Sequence, residues 1–208
     1  MNADELRISL DRLLNVLIEK ESPLVPRLKE GIERDYINDI IKQDELIFPE
    51  ELYTYYGWRN GFSIGPDEFI SMATVTLFTL GNPIPIETSL EEYFEYSFIN
   101  GYWDKKYFPL FESGIGDYYL IDLDPDSPNY KMIMFFSPAT PYFQGVISFS
   151  DSFQKLIYTI TECYERKYYF FEEFEGNRVF GATRGASFEL WKQNNPKSEY
   201  WRTLGEFR

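Results

Sequence analysis

Four short apolar runs follow one another in the middle of this 208-residue chain, over residues 107–111, 118–123, 131–136 and 144–149. Between them stand Gly114-Ile115-Gly116, Asp124-Pro125-Asp126-Ser127-Pro128-Asn129 and Ser137-Pro138-Ala139-Thr140-Pro141. Glycine, proline and short polar side chains are turn formers. Strands joined this closely pair as antiparallel neighbours, because a parallel pair needs a crossover of a dozen or more residues. The pattern therefore predicts an antiparallel meander. Ser150 or Asp151 is positioned to cap a following helix through Phe153, Leu156, Ile157, Ile160 and Tyr164, which would cross one face of that sheet.

Helical periodicity precedes the block. Leu6, Leu10, Leu13, Leu14, Leu17 and Ile18 recur every three or four residues and predict an amphipathic helix ending near Ser22-Pro23. Tyr36, Ile37, Ile40 and Ile41 predict a second. Pro49 suits the first turn of a third, through Leu52, Tyr55 and Tyr56, since its missing N–H leaves no donor unpaired there. Asn60-Gly61, a pair that tolerates positive φ, closes this helix. Val75, Leu77 and Phe78 form a β-prone run interrupted by Gly81-Asn82-Pro83, so residues 62–87 are compatible with a strand or a short helix. Thr88 or Ser89 then offers an N-cap, with Glu91 and Glu92 in the first turn and Leu90, Tyr93, Phe94 and Phe98 as the apolar stripe; Gly101 stops it.

After residue 166 the aromatic run over 168–171 leads into Glu172, Glu173, Phe174 and Glu175. Residues 181–185 read as a break, and Phe188, Leu190 and Trp191 as a short helix ending before Pro196. Residues 167–208 are expected to be an extension packed on the same core, in a single domain over 1–208.

The chain carries a net charge of −14. Affinity for phosphate backbones comes from Lys and Arg, so direct nucleic-acid binding is not expected. A basic protein partner is, through electrostatic steering, although the same acidity also serves solubility. Residues 89–126 hold nine acids (Glu91, Glu92, Glu95, Asp104, Glu112, Asp117, Asp122, Asp124, Asp126) against Lys105 and Lys106, half of the net charge. The first residues lack the basic and apolar regions of a signal peptide, and no apolar run reaches membrane-spanning length, so a cytoplasmic protein without membrane contact is expected.

Reaction chemistry has few residues to work with. There is no histidine and a single cysteine, Cys163, which removes the commonest general base and the usual ligand sets for zinc and iron–sulfur clusters. No cofactor or metal is expected. Asp122-x-Asp124-x-Asp126 imitates the opening of a calcium loop, but Ser127 and Ile133 stand where that loop needs Gly and Glu, so it reads as a turn. Gly114-Ile115-Gly116-Asp117 lies between strands, unlike a dinucleotide loop, and reads as a hairpin turn with Asp117 stabilising it as an Asx group. Cys163 sits in an apolar helical pattern and is expected to be buried. Trp103 is expected to pack between a helix and the sheet rather than to anchor a partner. Paired carboxylates acting on a glycosidic bond form a distant alternative.

Taken in order, Phe48-Pro49-Glu50-Glu51-Leu52-Tyr53, Trp58-Arg59-Asn60-Gly61, Trp103, residues 107–111, Gly114-Ile115-Gly116-Asp117, the strands at 118–124 and 132–136 and the helix at 153–160 resemble the SMI1/KNR4 (SUKH) family over about residues 30–165. The resemblance implies an α+β fold, an antiparallel sheet of four to six strands flanked by helices. It marks Pro49, Leu52, Asn60, Gly61, Trp103, Gly114, Gly116 and Asp117 as signature positions, expected to be structural. For bacterial members it implies immunity, the binding of a toxin domain without catalysis. A regulatory scaffold is the alternative within the same family. The acids expected to face a basic toxin are Glu91, Glu92, Glu95, Asp122, Asp124, Asp126, Glu172, Glu173 and Glu175.

Overall fold

The meander predicted for residues 107–149 is the centre of the molecule. The computed structural model describes residues 3–65, 68, 70–79, 81–139 and 145–206; Thr140-Pro141 of the last predicted turn and the predicted strand start at Gln144 lie outside the described residues. Strands β4 (Tyr107–Glu112), β5 (Tyr118–Asp122), β6 (Ile133–Phe136) and β7 (Ile147–Ser150) pair antiparallel in chain order. A two-residue strand, β3 (Asn82–Pro83), completes a five-stranded sheet on the β4 edge. Gly81-Asn82-Pro83 is thus an edge pairing rather than an interruption, and an edge is where proline costs no interior ladder bond.

Helices surround the sheet, giving an α+β fold. They are α1 (Ala3–Glu19), α2 (Arg34–Ile41), α3 (Glu50–Trp58), the single turn α4 (Met72–Val75), α5 (Ile86–Phe94), α6 (Phe153–Glu165), α7 (Arg184–Asn194) and α8 (Glu199–Glu206). Two antiparallel pairs stand apart from the main sheet: β1 (Leu28–Glu30) with β2 (Arg59–Phe62), which α2 and α3 separate in the chain, and the hairpin of β8 (Tyr169–Phe174) with β9 (Asn177–Ala182).

Alternation along the strands buries both sheet faces. Tyr119, Ile121, Ile133, Phe135, Ile147 and Phe149 join the main core with Leu6, Leu10 and Leu13 of α1, Tyr55 of α3 and Leu156 and Ile160 of α6. Tyr118, Leu120, Met134 and Phe136 point the other way, into a smaller cluster with Trp103 and Met132. The pairing of β4 with β5 shifts between Pro109 and Phe111, so Phe108, Leu110 and Phe111 all reach the main core despite their odd spacing. Cys163 is buried there and its thiol is pushed up to about 12, chiefly by burial.

Several boundaries differ from the sequence reading. Ser152 caps α6 by accepting from Lys155 N at 3.1 Å. Ser150 instead donates to Asn195 Oδ1 at 2.6 Å, and the Asp151 carboxylate accepts from Lys197 N at 3.1 Å. Both are committed to the tail, so neither caps. Thr88 and Ser89 lie inside α5, whose N-cap residue is Pro85. Residues 169–182 form a hairpin, with Gly181 paired to Phe170 rather than breaking the chain. Phe188, Leu190, Trp191 and Trp201 belong to the same core cluster as Leu6, and Trp201 Nε1 donates to Phe149 O at 3.0 Å.

Candidate functional site

Proline at the N-cap of α5 has no side-chain acceptor, so the helix takes its cap from elsewhere in the chain. Asn60 on β2 accepts from Ile86 N through Oδ1 at 2.8 Å, and its Nδ2 donates to Glu87 Oε2 at 3.0 Å. Gly61 makes the approach possible: its φ is +66°, and a Cβ there would stand 2.3 Å from Pro85 N. Pro49 and Leu52 act one element earlier. Pro49 is the extended N-cap residue of α3, its carbonyl accepting from Leu52 N at 3.0 Å, and Leu52 is fully buried.

Beyond Phe94 the helix widens into a π turn, Glu95–Ile99, closed by Asn100 N donating to Glu95 O at 2.9 Å. One extra residue in the turn rotates the following side chains, and such turns are frequent at functional sites. Trp103 holds this turn from behind. Its ring stacks on Tyr96 at 4.9 Å between centroids and meets Tyr118 and Phe136 edge-on, both at 5.2 Å. Each such aromatic pair contributes about 1 kcal/mol beyond its buried area. Trp103 therefore lies between the helical segment and the outer sheet face, out of a partner's reach.

The outward side of this segment is unusually apolar. Phe94 is 50% exposed, Phe98 42%, Ile99 67% and Tyr102 54%. Phe94 and Phe98 stack at 5.6 Å, and Lys105 Nζ sits 3.9 Å over the Phe98 ring. Glu91 and Glu95 flank these rings, exposed, and form no ion pair among the described residues. Next to them a groove of about 430 Å³ runs between α2 and α5, with Ile40, Leu90 and Phe94 beside Asp44, Glu87 and Glu91. Tyr36 OH donates to Glu87 at 3.1 Å and Lys29 Nζ lies 3.7 Å away. Burial raises the Glu87 carboxyl, but a hydrogen bond from its own backbone N–H, followed by Asn60, Lys29 and Tyr36, outweighs it and holds the group below its ordinary value.

The acids expected to bind a partner divide three ways. Glu91 and Glu95 face outward. Glu92 does not: it is half-buried and accepts from Tyr118 OH at 2.8 Å, and burial raises its carboxyl, with Glu95 and Glu91 adding. Asp122 is a correction, since its carboxylate is fully buried, 3.3 Å from Lys106 Nζ, and accepts from Ser127 Oγ at 2.6 Å. Its Oδ1 also accepts from Asp124 N, and Asp124 Oδ1 from Asp126 N, so the Asp-x-Asp-x-Asp run builds successive Asx turns. Asp124 is half-buried and Asp126 exposed. Glu172, Glu173 and Glu175 are exposed at the end of the β8–β9 hairpin, which packs on α4 and α6, whereas α5 packs on β4.

Gly114 and Gly116 both have positive φ, +74° and +96°, in the β4–β5 hairpin turn. Asp117 is buried and is not the Asx group of that turn. Ser113 Oγ takes the role, accepting from Ile115 N at 3.2 Å and Asp117 N at 3.0 Å. The sequence reading missed the exposed rings because Phe94 and Phe98 were read with Leu90 and Tyr93 as one apolar helical stripe. Adjacent aromatics at 93 and 94 were the available sign that one had to point out.

Among the described residues no group of three or more His, Cys, Asp or Glu is arranged to hold a metal ion. None of their helices is long and apolar enough to cross a membrane. An antiparallel sheet wrapped by helices, with an aromatic face held rigid from behind, defines an α+β domain of the interaction class. The model of the SMI1 / KNR4 family (SUKH-1) matches residues 31–159, and the chain belongs to that family. The family consists in general of non-catalytic immunity and interaction domains. No individual curated protein matches the chain. The match ends within α6, so α1 and everything from β8 onward lie outside it.

Proposed function

We propose that this protein is an immunity protein that binds a cognate toxin domain with a basic surface and blocks it without catalysis, acting in the cytoplasm as one folded unit. Glu91 and Glu95, with Asp44 in the adjoining groove, steer the partner; Phe94, Phe98, Ile99 and Tyr102 anchor it. The observation that carries this reading is the clustering of four exposed large apolar side chains on a segment fixed from behind by Asn60 and Trp103. Apolar patches with a charged rim are characteristic of partner surfaces, and aromatic anchors dominate their energetics. A toxin acting on nucleic acid suits the charge, because carboxylates can occupy positions where substrate phosphates would bind.

The test is neutralisation. Co-expressed with the toxin domains of its own cell, the wild-type chain is expected to restore growth against one of them, and the Phe98→Ser/Glu95→Lys variant to fail while remaining folded. Equal rescue by the variant would overturn the site. Rescue from none of those toxins would favour the regulatory-scaffold role.

A further inference from the structure

A second cavity lies away from the α5 face, where the tail outside the family match meets the core. It is a half-open pocket of about 620 Å³ between α4, β9, α7 and α8 and the end of β4. That size falls within the usual range for a site that holds a small molecule. Met72, Phe188, Trp201 and Leu204 give it apolar walls, and Ser113 and Arg184 contribute polar groups.

Its charge runs against the rest of the molecule. In a chain with 34 acidic residues, no carboxylate lines the cavity among the described residues, and the single charged side chain in the lining is Arg184. Arg184 is exposed at the start of α7 and makes no ion pair among the described residues. The Tyr200 hydroxyl is pushed up to about 12, by burial first and by Asp117 second, so Tyr200 adds no charge to the lining. An apolar chamber with an unpaired guanidinium fits an apolar body that ends in an anion, and the planar fork of arginine matches a carboxylate with two hydrogen bonds.

We propose that this cavity binds a small apolar monocarboxylate, with its chain or ring against Trp201, Phe188 and Leu204 and its carboxylate on Arg184. The site is independent of the α5 face and of the toxin reading.

Calorimetric titration of the full chain with octanoate, and with octylamine as its cationic counterpart, tests the proposal. Octanoate is expected to bind saturably at one site, with octylamine weaker by about tenfold or more, the worth of a charge-assisted hydrogen bond. Arg184→Gln, a change at an exposed residue, should abolish that preference, and Ala73→Leu, which fills the chamber, should weaken octanoate binding. Equal affinity for the two amphiphiles, or octanoate binding unchanged in Arg184→Gln, would overturn the proposal.

Discussion

Asn60 Oδ1 accepts a hydrogen bond from Ile86 N at 2.8 Å, so a side chain on β2 caps the helix that carries the exposed aromatic face. The Asn-Gly pair near residue 60 thus acts some 25 residues further on, at the start of α5. Replacing Asn60 by alanine leaves Ile86 N without this acceptor and removes one of the donors to Glu87, which keeps Tyr36 and Lys29. A loss of about 2 kcal/mol in urea unfolding is expected, at the upper end for a helix cap because the site is buried. Asn60→Asp keeps the acceptor but sets a second carboxylate against Glu87, and should be no more stable than the alanine variant. Wild-type stability in both would show that the cap has no structural weight.

Two glycines with positive φ should respond differently to alanine. At Gly61 the new Cβ meets Pro85 N at 2.3 Å, so the substitution adds a backbone clash to the conformational strain. At Gly116 the nearest atom is Pro138 Cγ at 3.7 Å, leaving strain alone. Gly116→Ala should cost about 1 kcal/mol. Gly61→Ala should cost clearly more and disturb α5. Equal melting temperatures for the two variants would contradict the close approach.

Burial sets the sign of one pH effect. The Glu92 carboxyl is raised by burial, and Glu112 is raised by burial and then by Glu92. Raised carboxyls hold more protons in the folded chain than in the unfolded one, so their contribution to stability falls as pH rises from the ordinary value of 4.5 through the folded value. Other carboxyls act in the opposite sense; Glu68, paired with Arg27, is lowered to about 2. The comparison with Glu92→Gln isolates the first effect, since glutamine still accepts from Tyr118. The stability of this variant relative to wild type should increase from pH 4.5 to 7, as followed by chemical unfolding. A difference constant across that range would reject the assignment.

The sequence disclosed the elements whose signals are local. Gly114 and Gly116 mark a turn because only that geometry needs them, and the spacing of Leu6, Leu10, Leu13 and Leu17 is that of a helix face. It did not disclose what depends on distant partners. The start of α5 was placed at Thr88 or Ser89, since Pro85 offers no cap and Asn60 is remote in sequence. The π turn has no compositional marker, so Phe94 and Phe98 were read as part of a single apolar helical stripe. Asp122 was grouped with surface acids because nothing nearby in sequence announced that Lys106 and Ser127 would enclose it. The hairpin at 169–182 was missed because Gly181 resembles a break; in the structure it gives room to the Phe170 ring, 2.4 Å from where a Cβ would stand.

Association kinetics with the neutralised toxin domain address the binding face most directly. In stopped-flow mixing at low salt, Glu91→Lys/Glu95→Lys should slow association by about tenfold or more, with the deficit shrinking as salt screens the charges. The same charge change at Glu172 and Glu173 should have a much smaller effect, because that hairpin belongs to a different part of the surface. An α5 variant that associates as fast as wild type, or a hairpin variant that is the slower of the two, would contradict the account.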